Sequence, residues 1–242
     1  MSTDLDGLWD FADPAASEAR FRVLAQAQGP RGLAAATQLA RALGLQDHFE
    51  EARRVLDDVD AQHADDAEVA TRSALERGRL ARSSGDPDAA RPLFEAAAAA
   101  AREAGLERLH VDALHMLAMD LPPAESIRAH LRALEVARAS RSEGGRRWEA
   151  SLLNNLGMAY QDAGDLPSAL ATFEQALAVC RRDGDVATVR VARWMVGWTL
   201  RLLGRDAEAL ALQRELHAEL EADGESDPYV EEELALLSGD GS

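Results

Sequence analysis

The sequence predicts an all-α chain in which about five helix pairs follow one another, closed by a capping helix at each end. Three observations carry that expectation. The 242 residues are rich in Ala, Leu, Glu and Arg and poor in Thr, Tyr and Ile, a balance that favours helices and leaves no credible strand. Small residues recur at Ala40, Gly78, Ala118, Gly157 and Gly197, at steps of 38, 40, 39 and 40, and an internal period of this size is the mark of a repeat architecture. A second register keeps the same steps through Ala52, Ala90, His130, Ala169 and Ala209. Four residues further on stand Leu56, Phe94, Leu134, Phe173 and Gln213, and three beyond those Val59, Ala97, Ala137, Ala176 and Leu216.

The elements follow in order. Asp13-Pro14 opens a first helix over 13–28 and Gly29-Pro30 closes it, since proline at the first helical position sacrifices no hydrogen bond. The pairs are then 31–43 with 48–62, 66–84 with 88–104, 107–120 with 124–140, 146–163 with 166–183, and 187–203 with 206–222, before a last helix over 228–238. Asp86-Pro87, Leu166-Pro167 and Asp227-Pro228 mark helix starts, and Gly85, Gly164 and Gly204 mark turns. Asp47 stands where a turn glycine is expected, and Pro122-Pro123 cuts the first helix of the third pair short. Pro92 implies either a later start or a local kink of its helix. A glycine inside a helix costs about 1 kcal/mol against alanine, and the close approach of a second helix offsets it. The domain organisation is one repeat domain over 13–238, with units of about 31–62, 66–104, 107–140, 146–183 and 187–222. The helices 13–28 and 228–238 cap it because terminal units lack a neighbour. Tails of 1–12 and 239–242 remain, with Leu8, Trp9 and Phe11 either tucked over the first helix or docking to a partner.

Leu156, Gly157, Tyr160, Gly164, Ala169, Phe173 and Ala176 together resemble the tetratricopeptide repeat (TPR) motif. Weaker copies lie at Gly78, Gly85, Ala90, Phe94 and Ala97, and at Gly197, Gly204 and Ala209, where Gln213 departs from the bulky residue of the motif. The long period resembles that of kinesin light chain and of bacterial peptide-responsive and maltotriose-responsive regulators. The stretches LWDFADPAASEARFR and RRWEASLLNNLG resemble a bacterial TPR group to which no activity attaches. The resemblance implies a right-handed α-α superhelix, a non-catalytic scaffold whose concave groove is lined by the first helix of each pair.

Composition narrows the partners. With 26 Lys plus Arg against 43 Asp plus Glu, the formal charge of −17 repels phosphate backbones, so direct nucleic-acid binding is not expected. No apolar run reaches the length of a spanning helix, so no membrane partner is expected. The lone Cys180 and the lack of a leader-like start predict a reducing, cytoplasmic setting. No phosphate loop, HExxH, paired-cysteine or nucleophile-elbow motif is present, so neither enzyme chemistry nor a cofactor is expected. Cys180 reads as a packed thiol, and His110 and His115, five apart, do not share a helix face. Asp57, Asp58, Asp60, Asp65 and Asp66 read as a solvated acidic loop rather than a calcium site, because His63 stands where the turn glycine belongs. No metal is expected.

The binding candidates lie on the first helices. Arg72, Arg79 and Arg82 form a cluster suited to a carboxylate or acidic peptide, against the alternative of ion pairs with Glu76 or Asp86. Asn154 and Asn155 offer carboxamides able to answer the N–H and C=O of an extended peptide, against bonding between helices. Trp194 and Trp198, one turn apart near Arg201, are of the type found at binding hot spots, against burial under the last helix. Met158 lies on the same face as Asn154. The expected partner is another protein or an acidic, extended segment. A signalling-peptide sensor acting on a separate regulator, or an architectural homodimer or stack, are the alternatives.

Overall fold

Aspartates and prolines set the helix starts. In the computed structural model, which describes residues 5–62, 66–183 and 186–239, the side chains of Asp13, Asp66, Asp86 and Asp227 each accept from a backbone N–H in the first turn of the helix that follows. After a 3-10 turn at Asp6–Leu8 come α1 (Pro14–Leu24), α2 (Pro30–Gly44), α3 (Phe49–Gln62), α4 (Ala67–Ser83), α5 (Pro87–Glu103) and α6 (Glu107–Met119). Then follow α7 (Pro123–Ala139), α8 (Glu143–Arg146), α9 (Glu149–Asp162), α10 (Leu166–Asp183), α11 (Val186–Leu202), α12 (Asp206–Asp223) and α13 (Pro228–Ser238). No strand occurs among the described residues, and none of their helices is long and apolar enough to cross a membrane. His63 and Asp65 of the acidic loop lie outside the described residues, as do the outermost residues of both tails.

Three boundaries depart from expectation. The first helix ends at Leu24 rather than 28, with Gln26 and Ala27 in turns that lead to Gly29 at φ 81°. α5 begins at Pro87 and runs through Pro92, which removes the later-start alternative. The helix expected over 146–163 is α9, starting at Glu149, and an additional short helix, α8, precedes it, just after Ser140 and Ser142 donate to Glu107. Those two donors, the Ser140 hydroxyl foremost, hold the Glu107 carboxyl at about 2.

The described residues form two compact units, residues 1–120 with 139–146, and residues 121–138 with 147–242. In the first, α2 packs on α3 and α4 on α5, with α6 following; in the second, α9 packs on α10 and α11 on α12, with α13 closing. The repeating positions meet inside each pair. Phe94 lies against Gly78 and Phe173 against Gly157, where a Cβ would stand 2.5 Å from the Phe173 ring. The helical glycines thus admit an aromatic ring, and the packing around it supplies the offset to their poor helix propensity.

The turn of the first pair carries strain. Gly85, Gly164 and Gly204 sit at φ 90°, 77° and 72°, and Asp47, one repeat before Gly85, adopts φ 60° with a Cβ. Asp47→Gly is therefore expected to raise stability by about 0.5 to 1 kcal/mol, the relief of a left-handed Cβ less glycine's extra unfolded freedom. Urea unfolding checks this, and a lower midpoint for the variant would contradict it.

Candidate functional site

In the second unit the expected residues gather on α9 and α11. Asn154 and Met158 are one turn apart and half-buried, and Gln161 donates from Nε2 to Thr199 Oγ1 at 3.1 Å, which sets α9 beside α11. Trp194 and Trp198 stack with centroids 5.3 Å apart and an interplanar angle of 24°. Met158, Trp194 and Trp198 are half-buried against the cluster of Leu170, Phe173, Leu177 and Met195. Trp194 also meets the edge of Tyr229 on α13 at 5.7 Å and packs with Leu216, Leu220 and Val230, so the last helix covers one of its sides. Asn154 and Asn155 are both half-buried, and Asn154 Nδ2 donates to Asn155 Oδ1 at 3.4 Å.

The arginines of α11 are engaged within the unit. Arg201 grips Glu233 of α13 through Nε and Nη2 at 2.8 and 2.6 Å. Arg193 binds Glu219 and Glu215, and Arg190 binds Asp223 and Glu225. Arg201 is thus a clamp on the capping helix, and its bond to Glu233 holds its pKa above arginine's ordinary value.

The first unit orders its cations in the same way. Arg72 is 2% exposed, with its guanidinium on Glu68 at 2.8 Å, and serves the first turn of α4. Arg79 binds Glu76 on its own helix at 2.6 Å and Asp112 on α6. Burial alone would lower its pKa, yet these two carboxylates more than offset that and hold it raised. Burial likewise opposes the charge of Asp112, and Arg79 and Arg41 prevail, so its carboxyl is held below the ordinary value. Arg82 binds Asp120 at 2.8 Å and stays about a third exposed. Of the alternatives in the sequence, Glu76 is a real partner, whereas Asp86 caps α5 instead.

Residues 5–12, expected as a tail, lie against this unit: Trp9 meets Phe21 of α1 at 4.9 Å, and its Nε1 donates to Gln38 of α2 at 3.1 Å. Gln38 Nε2 in turn donates to Glu76 at 3.3 Å. Sequence reasoning passed over Gln38, Glu76 and Arg108 as groove residues. The spacing holds a signal for the first two, which are 38 residues apart and so occupy the same place in successive units. Nothing in the sequence marks Arg108, whose partner is Asp6, 102 residues away. Cys180 is buried, and among the described residues no group of three or more His, Cys, Asp or Glu could hold a metal ion.

A tetratricopeptide repeat family model matches the chain twice, over residues 122–182 and 148–218. No curated protein matches it in sequence. Among solved structures, BtubC (BKLC) from P. vanneervenii is 22% identical with a TM-score of 0.69, over 94% of this chain and 95% of that one. A signal transduction ATPase with numerous domains (STAND) from Pyrococcus horikoshii, which carries a tetratricopeptide repeat sensor, is 13% identical with a TM-score of 0.72, over 95% of this chain and 37% of that one. The apo form of RapI is 11% identical with a TM-score of 0.71, over 95% and 70%. The repeat model covers residues 122–218, where the motif residues Gly157 and Phe173 are in contact, so this part of the chain carries tetratricopeptide repeats, and the solved structures share its fold over nearly the whole length.

Proposed function

We propose that the chain is a non-catalytic protein-interaction scaffold whose α9–α11 face takes an extended segment of another polypeptide. The observation that carries this is the set of half-buried side chains on two first helices joined by the Gln161–Thr199 bond, Asn154 and Met158 on α9 and the Trp194–Trp198 stack on α11. Tryptophan faces supply contact area at low entropy, and an asparagine carboxamide answers both groups of a peptide unit. Trp198 and Asn154 are the contact residues, with Asn155 and Met158 beside them. Trp194 and Arg201, held by α13, shape the end of the face. In the first unit Arg82 can exchange Asp120 for a partner carboxylate, while Arg72 and Arg79 act through the groups they position. The sensor reading gains support from the STAND protein, which is described as having a tetratricopeptide repeat sensor.

Panning a random peptide display library against the full chain, then titrating a selected peptide calorimetrically, tests the proposal. Asn154→Ala and Trp198→Ala should each weaken binding by about tenfold or more while the variants still melt cooperatively. Equal affinity for wild type and both variants would remove α9–α11 as the working surface.

A further inference from the structure

Residues 5–12 cross the first-helix face of the N-terminal unit as a short strap. The backbone of Leu8, Trp9 and Asp10 bonds within the segment to Leu5 and Asp6, and to Arg20 and Ser17 of α1. Side chains make the attachment across the face. Asp6 pairs with Arg108 on α6, Trp9 donates to Gln38 on α2, and the Arg41 guanidinium lies 5.2 Å over Trp9 and 5.3 Å over Phe11. The two rings stack at 4.8 Å, and Leu5 is buried, yet Phe11 remains 61% exposed. A carboxylate, an aromatic pair and an apolar anchor, laid on neighbouring helices, are the contacts by which such a face would hold a peptide from another chain.

Charge says which peptide. Arg41, Arg79 and Arg108 lie near Glu76 and Asp112, so the face carries one cation in excess until Asp6 arrives. Among the described residues Arg41 has no ion pair, only the two rings. This local excess of positive charge sits in a chain whose formal charge is −17. Electrostatic complementarity therefore selects an acidic segment, and the rings over Arg41 select aromatic side chains two residues apart.

We propose that the α2–α4–α6 face is a binding site for an acidic peptide segment bearing a Trp-x-Phe-like aromatic pair, and that residues 5–12 are its built-in competitor. A tethered strap acts at high effective concentration, so an external segment gains access only to the fraction of molecules in which the strap is open. The site lies in the first unit and stands independently of the α9–α11 face.

The test uses the full chain and a fluorescein-labelled peptide of residues 5–12 (LDGLWDFA), followed by anisotropy. In the double variant Trp9→Ala/Phe11→Ala the strap loses its anchors, and the peptide should bind at least about tenfold more tightly than to wild type. Adding Arg41→Ala or Arg108→Ala to that variant should abolish the gain, and the Asp→Asn peptide LNGLWDFA should bind more weakly. A cooperatively melting double variant that binds no peptide, or binds it no better than wild type, overturns the proposal. So does equal binding after Arg41 or Arg108 is removed, or equal binding of the two peptides. Should the double variant fail to fold, hydrogen exchange on the wild type decides. The proposal requires Trp9 and Phe11 amides to exchange by local opening, far faster than those of α2 and α4, and equal protection overturns it.

Discussion

Replacing Arg79 by methionine is expected to lower the unfolding free energy by about 3 to 5 kcal/mol, because it strands two buried carboxylates. The Arg79 side chain is 13% exposed, that of Glu76 2% and that of Asp112 6%, so water cannot take over the lost bonds. Glu76 Oε2 already lacks a partner among the described residues, which leaves the carboxylate wholly dependent on Arg79 and Gln38. Arg22→Met, at a pair whose arginine is 48% exposed, is the control and should change stability by about 1 kcal/mol or less. The pH dependence carries a sign. In the wild type Arg79 and Arg41 together outweigh burial and depress the Asp112 pKa, so its contribution is present above the unfolded value and lost as pH falls through the folded one. Without Arg79, burial is opposed by Arg41 and His115 alone, and the folded pKa of Asp112 rises. The variant should then recover ground on the wild type as pH falls from neutrality towards about 4. Urea unfolding at both pH values measures this, and an Arg79→Met midpoint equal to that of Arg22→Met would refute the buried-pair account.

The helix pairs were legible because the residues that pack one helix on its partner recur at one step, and Gly78 with Phe94 and Gly157 with Phe173 do meet as the spacing requires. Helix starts were legible because aspartate and proline act locally. The end of α1 was not, since Ala25 to Gln28 contain no breaker and Gly29 comes too late to mark the stop at Leu24. The short α8 was not read in the sequence either; the Ser142 N–H just ahead of it meets Glu107, some 35 residues earlier in the chain. The candidate site divides along the same line. That Asn154 and Met158, or Trp194 and Trp198, share faces follows from helical periodicity. Which arginines face outward does not, because Arg79 meets Asp112, Arg82 meets Asp120 and Arg201 meets Glu233 at separations of 33, 38 and 32 residues.

One repeat position should respond to substitution with opposite signs in adjacent pairs. Phe173 is fully buried over Gly157, and Phe173→Ala should cost about 3 to 5 kcal/mol, the lost transfer of the ring plus the cavity left against a helix that has no side chain there to fill it. Gln213 holds the equivalent place over Gly197, 0% exposed, where a Cβ on Gly197 would stand 2.7 Å from its Nε2. Neither end of its carboxamide has a hydrogen-bond partner among the described residues. A buried, unanswered amide carries a desolvation penalty of about 1 to 3 kcal/mol, which an apolar side chain of similar size avoids, so Gln213→Leu should raise stability by about that amount. Both residues belong to the second unit, so urea unfolding of the two variants reports on the same packing. If Gln213→Leu destabilised the protein alongside Phe173→Ala, the carboxamide would have to be hydrogen-bonded in solution, and the last pair would differ from its predecessor by a built polar contact rather than by a packing defect.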